Sequence, residues 1–340
     1  MKKGYPVIEN GGVSQQPYEL KSSMQRKGIQ RMLCTAKVGL EGLQLIVDLG
    51  CRNGDTTLGL LEAAPSAKVV AVEEVLDALA LAKFKFGIAT SGERKAVAQM
   101  MGDSLSSVDI HLQKFRADAA STLDRVEFVK SNMNCLGFLS GEADLVAGFQ
   151  LLHWLDEGHD GLPKREIMKS ISKCLRPGGT FISGTSTAFV EIDTTKRIDG
   201  MSVAEYSIDH HPFFSCLYTN IADALGAQTE VIPAHAPPLP SLKLDALAGL
   251  LESVGFKDVE IGAFLVTPGR ELVLTEVSRI RPKHQGRLEG VPEPRAAEIV
   301  REAITAANEY FSLNFEPTND PRNLDRNIYD AVPYVKATKA

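Results

Sequence analysis

No stretch of this chain approaches the roughly 18 to 20 apolar residues that a membrane-spanning helix needs, so no bilayer span is expected. Neither sign of charge dominates. Lys and Arg number 37 against 43 Asp and Glu, a net charge of −6 over 340 residues. Phosphate backbones call for a basic surface, so nucleic acid is not expected as a partner. Aromatic residues make up only 6%, with a single tryptophan, Trp154. The five cysteines (Cys34, Cys51, Cys135, Cys174 and Cys216) are scattered, odd in number and form no CxxC pair. That argues against a disulfide framework and a zinc site, and no metal is expected. The N-terminal MKKGYPVIENGG has no apolar stretch after its two lysines, so it does not read as a secretory signal. A reduced, cytoplasmic protein is the expectation.

What is present is a globular composition, 44% hydrophobic and 24% charged, with an alternating pattern along it. Residues 43–49 (LQLIVDL) form an apolar run that ends in Gly-Cys-Arg-Asn-Gly, and helical periodicity follows over 55–64. A buried strand, a glycine turn and a helix open a doubly wound α/β fold. Further strands are expected at 68–72, 126–130, 143–150 and 180–185. Helices are expected at 18–38, 76–86, 88–122, 165–175, 242–254 and 293–312, with a final hairpin from 259–267 and 271–279. Arg176-Pro-Gly-Gly reads as a helix-ending turn. Residues 188–240 cluster His, Phe and Pro as an inserted cap would, and the tail beyond 319 reads as mobile. The expected organisation is an N-terminal arm and helix over the active site (1–40), a core (41–187 and 242–280), and a substrate cap with a C-terminal helical extension (188–241 and 281–340).

The chemistry concentrates in residues 48–54, DLGCRNG. A turn from strand to helix needs glycine where φ is positive or a ligand lies close, and the helix that follows offers its unpaired N–H groups. An acid at the end of the next strand, Glu73 or Glu74, can accept hydrogen bonds from ribose hydroxyls. This geometry serves NAD, FAD or S-adenosylmethionine. Dinucleotide turns want GxGxxG for a pyrophosphate, whereas here only Gly50 and Gly54 stand. A smaller turn with Asp48 before it suits a ligand that carries an ammonium and no phosphate, and so favours S-adenosylmethionine. A plain tight turn is the bland alternative.

Residues 48–54, the acid after the second strand and Leu-Arg-Pro-Gly-Gly-Thr before the fifth resemble class I S-adenosylmethionine-dependent methyltransferases. A narrower resemblance rests on Asn10-Gly-Gly, Tyr18, Ser22 and Gln25-Arg-Lys, then Asp48-Leu-Gly-Cys, then Leu151-Leu-His153-Trp154-Leu. Together these are similar to the SABATH family of small-molecule carboxyl methyltransferases. Pro17, Lys21, Arg52-Asn53 and Glu73-Glu74 depart from the family pattern, and the chain is shorter than plant members, which points to a non-plant one. The resemblance implies a Rossmann-like fold, a seven-stranded, mostly parallel sheet with an antiparallel C-terminal hairpin strand, plus a mainly helical cap. It implies S-adenosylmethionine as cofactor, a small carboxylic acid as substrate and a homodimer. Cofactor contacts are implied at Tyr18, Ser22, Asp48, Gly50, Asn53, Gly54, Glu73, Glu74, Asn132 and Met133, and carboxylate contacts at Gln25 and Trp154.

A carboxylic acid is already ionised at neutral pH, so methyl transfer to it needs no strong base. Proximity, orientation and exclusion of water remain as the protein's tasks. Gln25 offers an amide N–H and Trp154 an indole N–H, and His153 adds a donor or shapes the pocket. Each has a bland alternative: a lone tryptophan after an apolar strand also suits a core anchor, and Gln25 a solvated helix face. His210 and His211 lack a third ligand for a metal; with Phe213 and Phe214 they read as pocket lining in the cap. Cys51 reads as a packing residue. The competing functions are an N- or S-methyltransferase of a heterocycle or thiol, and a non-catalytic scaffold that binds S-adenosylmethionine.

Overall fold

A computed structural model describes residues 24–101, 109–149, 151, 164–185, 190–191, 197–198, 201–202, 242–266 and 330–340, with positions 295, 298, 299, 302 and 305. The elements are α1 (Met24–Thr35), β1 (Leu45–Leu49), α2 (Asp55–Ala63), β2 (Lys68–Glu73), α3 (Leu76–Lys85), α4 (Ser91–Met101) and α5 (Asp109–Ala119). Then come β3 (Val126–Lys130), β4 (Ala143–Phe149), α6 (Lys164–Cys174), β5 (Leu175–Gly184), α7 (Leu244–Ser253), β6 (Phe256–Val266) and β7 (Asp330–Lys339).

Seven strands form one sheet in the order β6–β7–β5–β4–β1–β2–β3. The central strands are parallel and buried on both faces, which is why they read as unbroken apolar runs: all seven residues of β4 are buried, as are the last four of β1. β3, at the sheet edge, is only partly buried. β1 leads outward to β2 and β3 on one side, and β4 begins the other. The strand order therefore reverses between β1 and β4, and ligands of doubly wound sheets bind at the carboxyl ends of strands at that point.

On one face, α6 and α7 bury Ile167, Met168, Ile171, Leu244, Leu247 and Leu251 over Val47, Val146, Phe181 and Val335. On α1 and the turn that follows it, a stripe at helical spacing is buried: Gly28, Ile29, Met32, Leu33 and Ala36, with Gln25 half-buried at its head. Residues 193–240 and 265–331 make a second compact unit, in which Arg197–Ile198 pairs antiparallel with Met201–Ser202.

Two expectations are corrected. Residues 330–339, expected to belong to the mobile tail of the C-terminal extension, instead form β7, which lies inside the sheet and pairs antiparallel with β5 from Tyr334↔Gly184 to Thr338↔Thr180. Among the described residues, β7 is the sheet neighbour of β6; the strand expected at 271–279 lies outside the described residues. α6 stops at Cys174, next to Arg176–Gly179 as expected, but the strand begins before these residues rather than after them. β5 starts at Leu175, opposite Ala143, and the register slips before Thr180 meets Leu145, so these residues form a bulge within the strand.

Candidate cofactor site

The turn after β1 stands at the strand-order reversal. Gly50 and Gly54 have φ of +73° and +84°, the left-handed region that glycine enters without strain. The Gly50 and Cys51 N–H groups both donate to the Val72 carbonyl, at 2.9 and 3.0 Å, and tie the turn to β2. A Cβ at Gly50 would stand 2.9 Å from the tip of the Leu151 side chain, and the positive φ would strain any side chain there. Arg52, where the resembled family has serine, also has positive φ, +46°. Its N–H donates to Glu73 Oε2 at 2.9 Å.

Asp48 is wholly buried. Its Oδ2 accepts from the Thr56 and Thr57 hydroxyls at 2.8 and 2.6 Å, while its equally buried Oδ1 has no hydrogen-bond partner among the described residues. Burial pushes its pKa up to about 6; the two threonine hydroxyls pull it down and the Glu73 charge pushes it further up. A buried carboxylate oxygen without a donor is expensive and suits an incoming cation.

The two acids after β2 differ. Glu73 is 3% exposed, and its Oε1 accepts from the Glu74 and Val75 N–H groups at 3.0 and 2.9 Å. With the Arg52 N–H on Oε2, three of about four acceptor positions are used, which leaves room on Oε2 for one hydroxyl. Glu74 is half-buried and accepts from Asn132 Nδ2 at 2.8 Å, across the ends of β2 and β3. Asn132 Oδ1 accepts the Asn134 N–H at 3.1 Å, so that side chain is engaged in its own loop. Asn53 is buried, and its Oδ1 accepts the Asp55 N–H at 3.2 Å at the start of α2. Met133 packs against the hydrophobic core. Cys51 is buried with Ala71, Leu79 and Phe128, and burial raises its thiol pKa well above the ordinary value, as suits a packing residue.

The structure therefore brings Asp48, Gly50, Asn53, Gly54 and Glu73 to one turn, with Glu74 and Asn132 beside it. Tyr18, Ser22, His153, Trp154, His210, His211, Phe213 and Phe214 lie outside the described residues. Sequence reasoning missed Thr56 and Thr57, two hydroxyls in the first turn of α2, and their adjacency to the turn was the available signal. It also missed a buried ion pair of Lys85, at the end of α3, with Asp55 at 2.7 Å. The Lys85 ammonium lies 4.5 Å from the Phe115 ring centroid on α5.

Residues 85–183 match the family described as a methyltransferase domain. Similar solved structures include YcgJ from Bacillus subtilis, 13% identical over 92% of this chain and 98% of that one, with a TM-score of 0.42. Another is Haemonchus contortus phosphoethanolamine N-methyltransferase 2 in complex with S-adenosyl-L-methionine, 12% identical over 96% of this chain and 56% of that one, with a TM-score of 0.43. At such scores neither bears on this chain's substrate. No curated protein matches the sequence.

Proposed function

We propose that this protein is an O-methyltransferase that converts a small organic carboxylic acid to its methyl ester. The residues fit the cofactor: Asp48 Oδ1 is buried and lacks a donor among the described residues, and Gly50 and Gly54 hold the turn beside it at positive φ. Asp48 and Gly50 would hold the methionyl end, with Tyr18 and Ser22 from the N-terminal arm, and Glu73 Oε2 the ribose. S-adenosylmethionine supplies, when bound, a methyl group on a positively charged sulfur.

The observation that carries the substrate reading is the place of Gln25. It is the polar head of the otherwise apolar buried stripe of α1, and three residues on, Gly28 meets Phe149 at the carboxyl end of β4. Residues three apart share a helix face, so the Gln25 amide belongs to the face turned toward the strand ends. An amide N–H there, with the indole N–H of Trp154, can hold one carboxylate oxygen and leave the other as nucleophile. His153 shapes the same pocket. The substrate needs no base, because it is ionised on arrival. Residues 188–241, with His210, His211, Phe213 and Phe214, would cap the acid, and we place the enzyme in the cytoplasm as a homodimer.

Gln25→Ala and Trp154→Phe test this. Each deletes one donor to a charged group, worth about 1.5 to 3 kcal/mol, or about ten- to a hundredfold in kcat/KM. Affinity for S-adenosylmethionine should stay near that of the unaltered protein. Full activity in both variants would refute the carboxylate grip. A rate that climbs toward an amine or thiol pKa would favour an N- or S-methyltransferase.

A further inference from the structure

Three glycines act as sockets for α1. A Cβ at Gly59 on α2 would come within 2.6 Å of Ile29 Cγ2, and one at Gly184 on β5 within 2.9 Å of Met32 Sδ. On α1 itself, a Cβ at Gly28 would stand 2.4 Å from Phe149 Cζ and 2.8 and 2.9 Å from its Cε atoms. The first two sockets receive side chains from α1. The third receives a side chain into α1, because the rim of the Phe149 ring rests on the bare Gly28 backbone.

Glycine is a poor choice inside a helix, where alanine ordinarily stabilises. Its presence within α1 asks for a packing reason, and the ring supplies one. Phe149 is 3% exposed and is backed by Phe264, with ring centroids 6.4 Å apart. Phe264 is in turn backed by Tyr334, at 6.3 Å. The ring has little space to retreat, so any side chain at Gly28 must lift the helix by about 1 Å to restore ordinary carbon contact.

We infer that Gly28 is a positioning residue: its missing side chain lets α1 seat on the Phe149 ring and so sets where Gln25 stands over the carboxyl end of β4. This rests on the proposed role of Gln25, for which a displacement near 1 Å is enough to cost about a hundredfold in rate. Gly28 touches neither substrate nor cofactor; it acts through Gln25.

Two readouts test it, one of them independent of any substrate. Gly28→Ala should lower kcat/KM for a methylated acid about 10- to 100-fold, with S-adenosylmethionine affinity within about threefold. Adding Phe149→Leu, which shortens the ring that collides, should restore kcat/KM to within about fivefold. In the Gln25→Cys background, iodoacetamide labelling of the introduced thiol, followed by peptide mass spectrometry, should quicken several-fold with Gly28→Ala and slow again with Phe149→Leu. If Gly28→Ala alone does not fold, recovery of folded protein in the double variant is the same rescue. Unchanged labelling in Gly28→Ala, or no rescue by Phe149→Leu, overturns the inference. Coupled labelling in a protein that methylates no acid leaves the seating of α1 intact and removes the carboxylate reading instead.

Discussion

Replacing Asp48 by asparagine separates what the site costs the fold from what it contributes to binding. Burial lifts the Asp48 pKa from 3.8 to about 6. Between those values the folded chain holds a proton that the unfolded chain has already released, so stability falls as pH rises through that window and stays lower above it. A rise of that size is worth about 3 kcal/mol. The side-chain amide of the Asp48→Asn variant would keep an oxygen for the Thr56 and Thr57 hydroxyls but would not ionise. Its N–H₂ would replace the unpartnered Oδ1, itself a cost of about 1 to 3 kcal/mol, and that cost is the same at every pH. The difference in unfolding free energy between the two proteins should therefore move by about 2.5 kcal/mol in favour of the variant from about pH 4 to pH 7.5. Urea unfolding without cofactor at the two pH values reads this directly. Calorimetry at neutral pH should show the reverse for function, with S-adenosylmethionine affinity about ten- to a hundredfold weaker. Parallel pH dependence in the two proteins would refute the buried, poorly compensated carboxylate. Unchanged affinity would refute its role toward the cofactor.

Glu73→Gln should weaken S-adenosylmethionine binding by about 1.5 to 3 kcal/mol, whereas Glu74→Gln, which still accepts from Asn132, should change it little; calorimetry that showed the opposite order would move the ribose contact to Glu74. Lys85→Met removes the buried ammonium that pairs with Asp55 Oδ1 at 2.7 Å and should cost about 3 to 5 kcal/mol in urea unfolding. Adding Asp55→Asn should recover most of that, and no recovery would mean that Lys85 acts by packing alone. With a carboxylic acid as substrate, kcat should be flat from about pH 6 to 8, while cofactor affinity falls below pH 6 as Asp48 takes up its proton.

The central strands and the turn were legible because their signals are local. Apolar runs at 45–49 and 143–149, with glycines at 50 and 54, leave few alternatives for the chain. β7 was not legible, because its sequence, DAVPYVKATK, carries Pro333, and proline argues against an interior strand. The structure accommodates it where the Pro333 carbonyl accepts the Thr185 N–H at 3.0 Å. The pairing of β7 with β5 spans a long insertion, which no local pattern announces. Glu73 and Glu74 looked equivalent as neighbours in sequence and were separated only by burial and by the three backbone N–H groups that reach Glu73. Lys85 reads from sequence as a solvated basic residue at a helix end, yet it is fully buried on Asp55. Gly28 gave no sign of its role, since the ring it accommodates lies far along the chain.

Mass spectrometry of the purified protein incubated with S-adenosylmethionine and a mixed library of small carboxylic acids, amines and thiols tests the central claim most directly. At least one acid should gain a single methyl group as its ester, with S-adenosylhomocysteine formed in equal amount. Both products should form at least about tenfold more slowly in Gln25→Ala and in Trp154→Phe at the same enzyme concentration. Methylation confined to amines or thiols, or cofactor binding with no methylated product of any class, would contradict it.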